Sequence, residues 1–209
     1  MCGRYLIDDE AYADIWEILN SHDFTGLNND MQPLSAGEVF PSAIAPVYEK
    51  NSAAVVKWGF PHWKNSSLII NARSETALEK NMFHKPLRER RCVIPSSGFY
   101  EWSRSGRKTK DKYLLRKPGE HMLYMAGMVS TFRDAMGVEY TAFVILTTAA
   151  NESVAPIHDR MPVILAPDEV DLWTSDDGFM EYTLLRPGPE LLAERTVTTG
   201  GQTSLWGTD

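Results

Sequence analysis

A net charge of −7 on 209 residues, with 43% hydrophobic and 23% charged side chains, describes a chain able to close a full hydrophobic core without metal or disulfide staples. This composition excludes intrinsic disorder, and the longest apolar runs, such as Ala142–Leu146, are far too short to cross a bilayer. The acidic balance argues against indiscriminate nucleic-acid binding, while leaving room for a local basic groove.

The opening Met-Cys-Gly-Arg-Tyr runs into Asp8-Asp9-Glu10 rather than into the basic and then apolar stretch of a secretion signal, so a cytoplasmic protein is expected. Tyr12, Ile15, Trp16 and Leu19 fall at helical spacing and predict an amphipathic helix over Ala11–Asn20. Ser21–Ser42 is rich in Gly, Pro, Asn and Asp and reads mostly as loop. A strand is predicted over Ala53–Phe60, ended by Pro61. A short strand over Leu68–Ile70 and a helix over Ser74–Asn81, with Ser74 as N-cap, come next. Strands are then predicted over Cys92–Ile94, Gly98–Trp102, Lys112–Arg116, His121–Val129 and Tyr140–Thr148, with Gly106 in a hairpin turn between the second and third. Pro162–Leu165 is one more strand, and Pro167 opens a helix through Val170, Leu172 and Trp173. The remainder reads as a mixed tail. The strands follow one another without βαβ alternation, which implies an α+β fold over a single domain, residues 1–209. Its sheet core should be curved, largely antiparallel or barrel-like, with peripheral helices.

Cys2 is the residue whose position matters most. Methionine aminopeptidases cut before small residues, so a mature chain is expected to begin at Cys2 and to carry a 1,2-aminothiol. The ordinary pKa values are about 7.7 for the amine and about 8.5 for the thiol, so both supply nucleophile near neutrality. An aldehyde can form an imine with the nitrogen, and the sulfur can then close on the same carbon to give a thiazolidine. An N-terminal-nucleophile amidohydrolase could use the same start. Cys92, inside Arg-Cys-Val-Ile-Pro, reads as a small apolar residue of a strand, and no disulfide is expected.

Other polar residues stand in unusual settings. Asn71-Ala-Arg73-Ser-Glu75 lies where a strand should give way to a helix, with Arg73 able to hold a phosphate or simply to serve a turn. Glu101, in Gly98-Phe-Tyr-Glu-Trp, should share a strand face with Phe99. A carboxylate among aromatics is costly unless used, and burial would suit it to general-acid work. His158 sits in a compact polar turn, Pro156-Ile-His-Asp-Arg-Met-Pro162. Trp63 occupies a probable loop where it could stack on a base. Basic runs around Arg88 and Arg90 and around Arg104 and Arg107 read either as groove walls or as solvated turns. Metal-ligand spacings and nucleotide-binding glycine motifs are absent, so neither metal nor cofactor is expected.

Met-Cys-Gly-Arg-Tyr, Trp58-Gly-Phe, Asn71-Ala-Arg-Ser-Glu-Thr, Phe99-Tyr-Glu-Trp and Ile157-His-Asp-Arg-Met-Pro occur in the order found in the SRAP family, the abasic-site processing proteins once called SOS response-associated peptidases. The chain resembles that family from Cys2 to about Trp173. The resemblance implies a compact mixed fold around a curved antiparallel sheet. It also implies binding of single-stranded DNA and a thiazolidine crosslink from the N-terminal cysteine to a ring-opened abasic site. By position, Cys2 resembles the nucleophile and Asn71 the asparagine that holds the lesion. Glu101 resembles the carboxylate of ring opening and proton transfer, and His158 the histidine of Schiff-base chemistry and reversal. Arg4 and Arg73 resemble arginines on the DNA backbone.

The implied partners are single-stranded DNA with abasic sites and replication or repair proteins, for a monomer that associates with the nucleoid when bound to DNA. Two departures stand out. Trp63 is followed by Lys64 where many bacterial members carry a second tryptophan, and Ser42-Ala-Ile-Ala-Pro46 lacks the asparagine of an Asn-x-Ala-Pro stretch. An amidohydrolase and a non-catalytic single-stranded-DNA-binding module remain as alternatives.

Overall fold

The computed structural model describes residues 2–21, 35–50, 52–103 and 111–196. Strand β1 (Tyr5–Ile7) leads into helix α1 (Asp9–Ser21), where Asp8 accepts a hydrogen bond from the Ala11 N–H at 3.1 Å and so caps the first turn. Strands β2 (Gly37–Val39), β3 (Ile44–Glu49) and β4 (Ser52–Trp58) follow. The small hairpin β5 (Phe60–Pro61) and β6 (Leu68–Ile69) precedes β7 (Asn71–Arg73), a 3-10 turn over Ser74–Thr76 and helix α2 (Asn81–Glu89). Next come β8 (Arg91–Ser96), β9 (Gly98–Trp102), β10 (Lys112–Arg116), β11 (Leu123–Arg133) and β12 (Glu139–Ala149). The chain continues through β13 (Arg160–Pro162), β14 (Ile164–Leu165), a 3-10 turn over Pro167–Glu169, helices α3 (Val170–Ser175) and α4 (Asp177–Leu185), and β15 (Leu192–Thr196).

Strands β12, β4, β3, β8 and β11 pair in that order, and β11 pairs back onto β12, so the five close into a barrel. Strands β13 and β7 add to β12, and β14 adds to β11. A second sheet, ordered β15-β10-β9-β1-β2, is antiparallel throughout. The fold is therefore α+β, with a largely antiparallel barrel core and helices outside. Only β12 with β4 and with β7 runs parallel among the described pairings.

The barrel interior explains the Trp58-Gly-Phe motif. Trp58 is fully buried, lies parallel to Phe143 at 6.1 Å between ring centres, and meets Tyr5 of the second sheet at 5.2 Å. Its indole N–H donates to the Ile70 carbonyl at 3.0 Å, which fixes the chain one residue before Asn71. Gly59 beside it has φ +116°, and a Cβ there would stand 3.0 Å from the Leu68 Cβ. Trp58→Ala should cost about 3–5 kcal/mol through the cavity left behind. Denaturant titration would show this as a lower midpoint with an unchanged slope.

Several elements depart from the sequence reading. Strands β1, β2 and β3 were not expected: β2 falls in the presumed loop Ser21–Ser42, and β3 carries Pro46 within it. Each is held by its partners rather than by local propensity. The helix expected over Ser74–Asn81 is only the 3-10 turn. The true helix starts at Asn81 and tolerates Pro86 because Phe83 and Leu87, one turn apart, are buried on one face. Ser74 is the buried first residue of that turn, not an N-cap. The strand expected over Pro162–Leu165 divides at Val163, whose N–H donates to the Leu146 carbonyl while its own carbonyl accepts from the Ala126 N–H. The presumed tail contains α4 and β15. The Gly106 turn lies outside the described residues.

Candidate active site

Cys2, just ahead of β1, is fully buried, and its Sγ lies 3.7 Å from the Arg4 carbonyl as a weak donor. Burial, with the negative charge of Glu101 as a second cause, pushes the Cys2 thiol well above its ordinary range. The sulfur is therefore a neutral thiol at physiological pH. Asn71 opens β7 and donates from Nδ2 to the Cys2 carbonyl at 2.9 Å. The Asn71 Oδ1 is buried and receives no hydrogen bond from the described residues.

Glu101 comes from β9. Pleating puts it and Phe99 on one face, with Glu101 3% exposed, while Tyr100, also buried, and half-buried Trp102 lie on the other. Burial raises the Glu101 carboxyl, against which nearby positive charge, His158 included, pulls it down. His158 lies on the turn before β13, and its Nε2 is 3.9 Å from Glu101 Oε2, within Coulombic reach but beyond a hydrogen bond. Asn151 builds that turn: its Oδ1 accepts from Ser153 Oγ at 2.7 Å and from two backbone N–H groups, while its Nδ2 donates to the Pro189 carbonyl at 2.6 Å.

The structure thus brings together Cys2, Asn71, Glu101 and His158 from four separate stretches of chain. The strand-to-helix junction falls after Arg73, where β7 runs into the 3-10 turn, and Asn71 stands two residues before its end. It is a strand residue paired with Ile145 of β12, a more rigid mount than a loop would give.

The arginines and the tryptophan divide differently. Arg73 is exposed at the end of β7, two residues from Asn71. Arg4 points to the outer face of the second sheet, with its guanidinium 4.2 Å from the Phe40 ring centre and 5.0 Å from that of Trp102 and with Nη1 on Glu38 at 3.0 Å. Glu38 also accepts from Lys112. Trp63 is 76% exposed in the turn between β5 and β6, with the Lys64 ammonium 4.4 Å above its ring.

Arg88 and Arg90 are not gathered at this site. Arg88 pairs with Glu181 at 2.9 Å, and Arg90 grips both oxygens of Glu49 and donates to Thr131. Their neighbour Arg91 is buried and structural, donating to the Leu87, Arg88 and Trp173 carbonyls and to Asp177. A run of like charges in sequence was dispersed by the helix and strand that carry it. Arg104 and Arg107 lie outside the described residues. Sequence reasoning gave no role to Glu75, although its pairing with Arg160 spans the site; the only signal was its place in the Asn-Ala-Arg-Ser-Glu motif.

Among the described residues, no group of three His, Cys, Asp or Glu side chains is gathered as a metal site would need, and no helix is long and apolar enough to cross a membrane.

The family model described as SOS response associated peptidase (SRAP) matches residues 1–199 of the chain. The abasic site processing protein YoqW of Bacillus subtilis is 34% identical over 206 residues, covering 90% of this chain and 87% of that protein. The abasic site processing protein YedK of Escherichia coli is 29% identical over 178 residues, covering 83% and 79%. Among solved structures, a protein from Bacteroides thetaiotaomicron superposes with a TM-score of 0.80 at 24% identity, covering 94% of this chain and 93% of that one.

Proposed function

Because the chain belongs to the SOS response associated peptidase family, whose relatives here carry the name of abasic site processing proteins, we propose that it captures abasic sites in single-stranded DNA as a covalent thiazolidine on Cys2. The assembly of Asn71, Glu101 and His158 around a buried Cys2 carries this reading.

Removal of Met1 frees the Cys2 amine. That nitrogen adds to the C1′ aldehyde of the ring-opened sugar, and the carbinolamine loses its hydroxyl as water. The Glu101 carboxyl, kept protonated to higher pH by burial, is the group suited to give the departing hydroxyl its proton. The Cys2 sulfur then bonds to the iminium carbon, the C=N π pair moves to nitrogen, and the thiol proton returns to the Glu101 carboxylate. The ring closes with one water lost overall and no change of oxidation state.

Amine attack precedes sulfur attack because the thiol is neutral until a cationic imine forms beside it. Asn71 fixes the Cys2 carbonyl, and its open Oδ1 can accept from a sugar hydroxyl. The exposure of Arg73, two residues from Asn71, supports a part for it in holding a flanking phosphate. A base-stacked sugar cannot reach a fully buried sulfur, which favours single-stranded DNA.

Mature protein mixed with single-stranded DNA holding one abasic site should give an adduct that survives a denaturing gel without added reductant. Its mass should equal the sum of protein and DNA less one water. If no adduct forms while a glutamine analogue with an electrophilic warhead labels Cys2, the protein is an amidohydrolase. If neither reagent reacts, it is a binding module.

A further inference from the structure

Two groups compete for the same nitrogen of His158. The backbone N–H of Arg160 donates to Nδ1 at 3.0 Å, which requires Nδ1 to be bare and puts the proton of the neutral ring on Nε2, toward Glu101. The Asp159 carboxylate stands 3.1 Å from the same Nδ1 and would reward the opposite tautomer, with the proton on Nδ1. The outcome depends on how firmly the Arg160 backbone is held.

Arg160 begins β13, a short strand joined to β12 over three residue pairs. Its guanidinium grips both oxygens of Glu75 at 2.5 and 2.8 Å and donates to the Thr147 carbonyl at 2.6 Å. Glu75 lies in the 3-10 turn directly after β7, the strand that carries Asn71. One ion pair therefore ties the Asn71 strand to the His158 turn.

We propose that Glu75 is a positioning residue: through its two-pronged bond to Arg160 it holds the Arg160 N–H against His158 Nδ1, overrides Asp159, and fixes the tautomer that presents an Nε2–H to Glu101. Without Glu75 the guanidinium keeps, among the described residues, only the Thr147 carbonyl, its end of β13 moves, and Asp159 takes the Nδ1 proton. His158 then turns a bare Nε2 toward Glu101, and the N–H that favours the carboxylate left when Glu101 gives up its proton is lost. This inference rests on the abasic-site reading only for its effect on rate; the tautomer itself is a property of the free protein.

The test is 15N and 13C NMR of the His158 ring at neutral pH in wild type, Glu75→Gln, Asp159→Ala and the double variant, alongside crosslinking rates on abasic single-stranded DNA. Wild type and Asp159→Ala should hold the Nε2–H form. Glu75→Gln should shift toward Nδ1–H and crosslink about tenfold or more slowly at unchanged DNA affinity. The double variant should recover both the tautomer and the rate, since the competitor is gone. A merely structural ion pair would not be rescued by removing Asp159.

Retention of the Nε2–H form in Glu75→Gln, or failure of the double variant to restore it, overturns the proposal. Should Glu75→Gln not fold, Arg160→Lys, which keeps the charge and loses the two-pronged grip, must show the same tautomer shift. If wild type makes no crosslink yet the tautomers respond as stated, the abasic-site function fails and the positioning role stands.

Discussion

Cys2→Ser should abolish the stable DNA adduct, lowering its yield at least a hundredfold, to about the background of the gel. Serine keeps the amine and so can still form an imine, but its hydroxyl is a far weaker nucleophile and does not capture the imine carbon efficiently. A transient adduct trapped by borohydride should therefore survive in Cys2→Ser while the reductant-free one disappears. Cys92→Ala should crosslink as wild type does, because Cys92 is fully buried in the barrel wall and its nitrogen is part of the chain. Protein that keeps Met1 should be as inactive as Cys2→Ser despite its intact thiol, since the nitrogen is then an amide. Denaturing gels run with and without borohydride separate Cys2→Ser and the Met1-retaining protein from wild type and Cys92→Ala. Wild-type reactivity in Cys2→Ser would rule out sulfur capture.

Glu101→Gln should slow crosslinking by about a hundredfold, within the usual range for loss of a general acid, while DNA affinity changes little. Burial raises the Glu101 carboxyl, so the wild-type rate should fall as pH rises through that elevated value, and this limb should be missing from the glutamine variant.

The same burial has a consequence for stability. Below the ordinary carboxylate range Glu101 is protonated in both the folded and unfolded chains and contributes no pH dependence. As pH rises, the unfolded chain releases its proton first, so folding loses stability until the pH passes the raised folded value. Glu101→Gln escapes this loss. Its melting temperature relative to wild type should therefore rise from acid to alkaline pH. A difference that ran the other way would mean that the ionised carboxylate is held by its neighbours, His158 among them, rather than penalised by burial.

The candidate site residues were legible in the sequence because their oddity is local. A cysteine at the second position, a glutamate alternating with aromatics and a histidine in a polar turn each depart from what packing alone would choose. Strand alternation also put Glu101 on one face with Phe99, and the structure buries that face. Strands β9, β10, β11 and β12 were readable as runs rich in aromatic and apolar residues.

Only the tertiary structure decided the rest. Strands β1, β2 and β7 are short and β3 carries a proline, and all four exist because neighbours supply their hydrogen bonds, a term that no local propensity contains. Arg88, Arg90 and Arg91 look alike in sequence, yet a helix end and a strand start part them: Arg90 turns to Glu49, while Arg88 and Arg91 share Asp177, Arg88 also on Glu181 and Arg91 buried on three carbonyls. Charge in a sequence gives the number of cations; where each points depends on the backbone that carries it. The meeting of Glu75 with Arg160, and through it the setting of His158, joins positions 85 residues apart. It arises because β7 and β13 both pair with β12, a coincidence of barrel topology that the one-dimensional pattern does not encode.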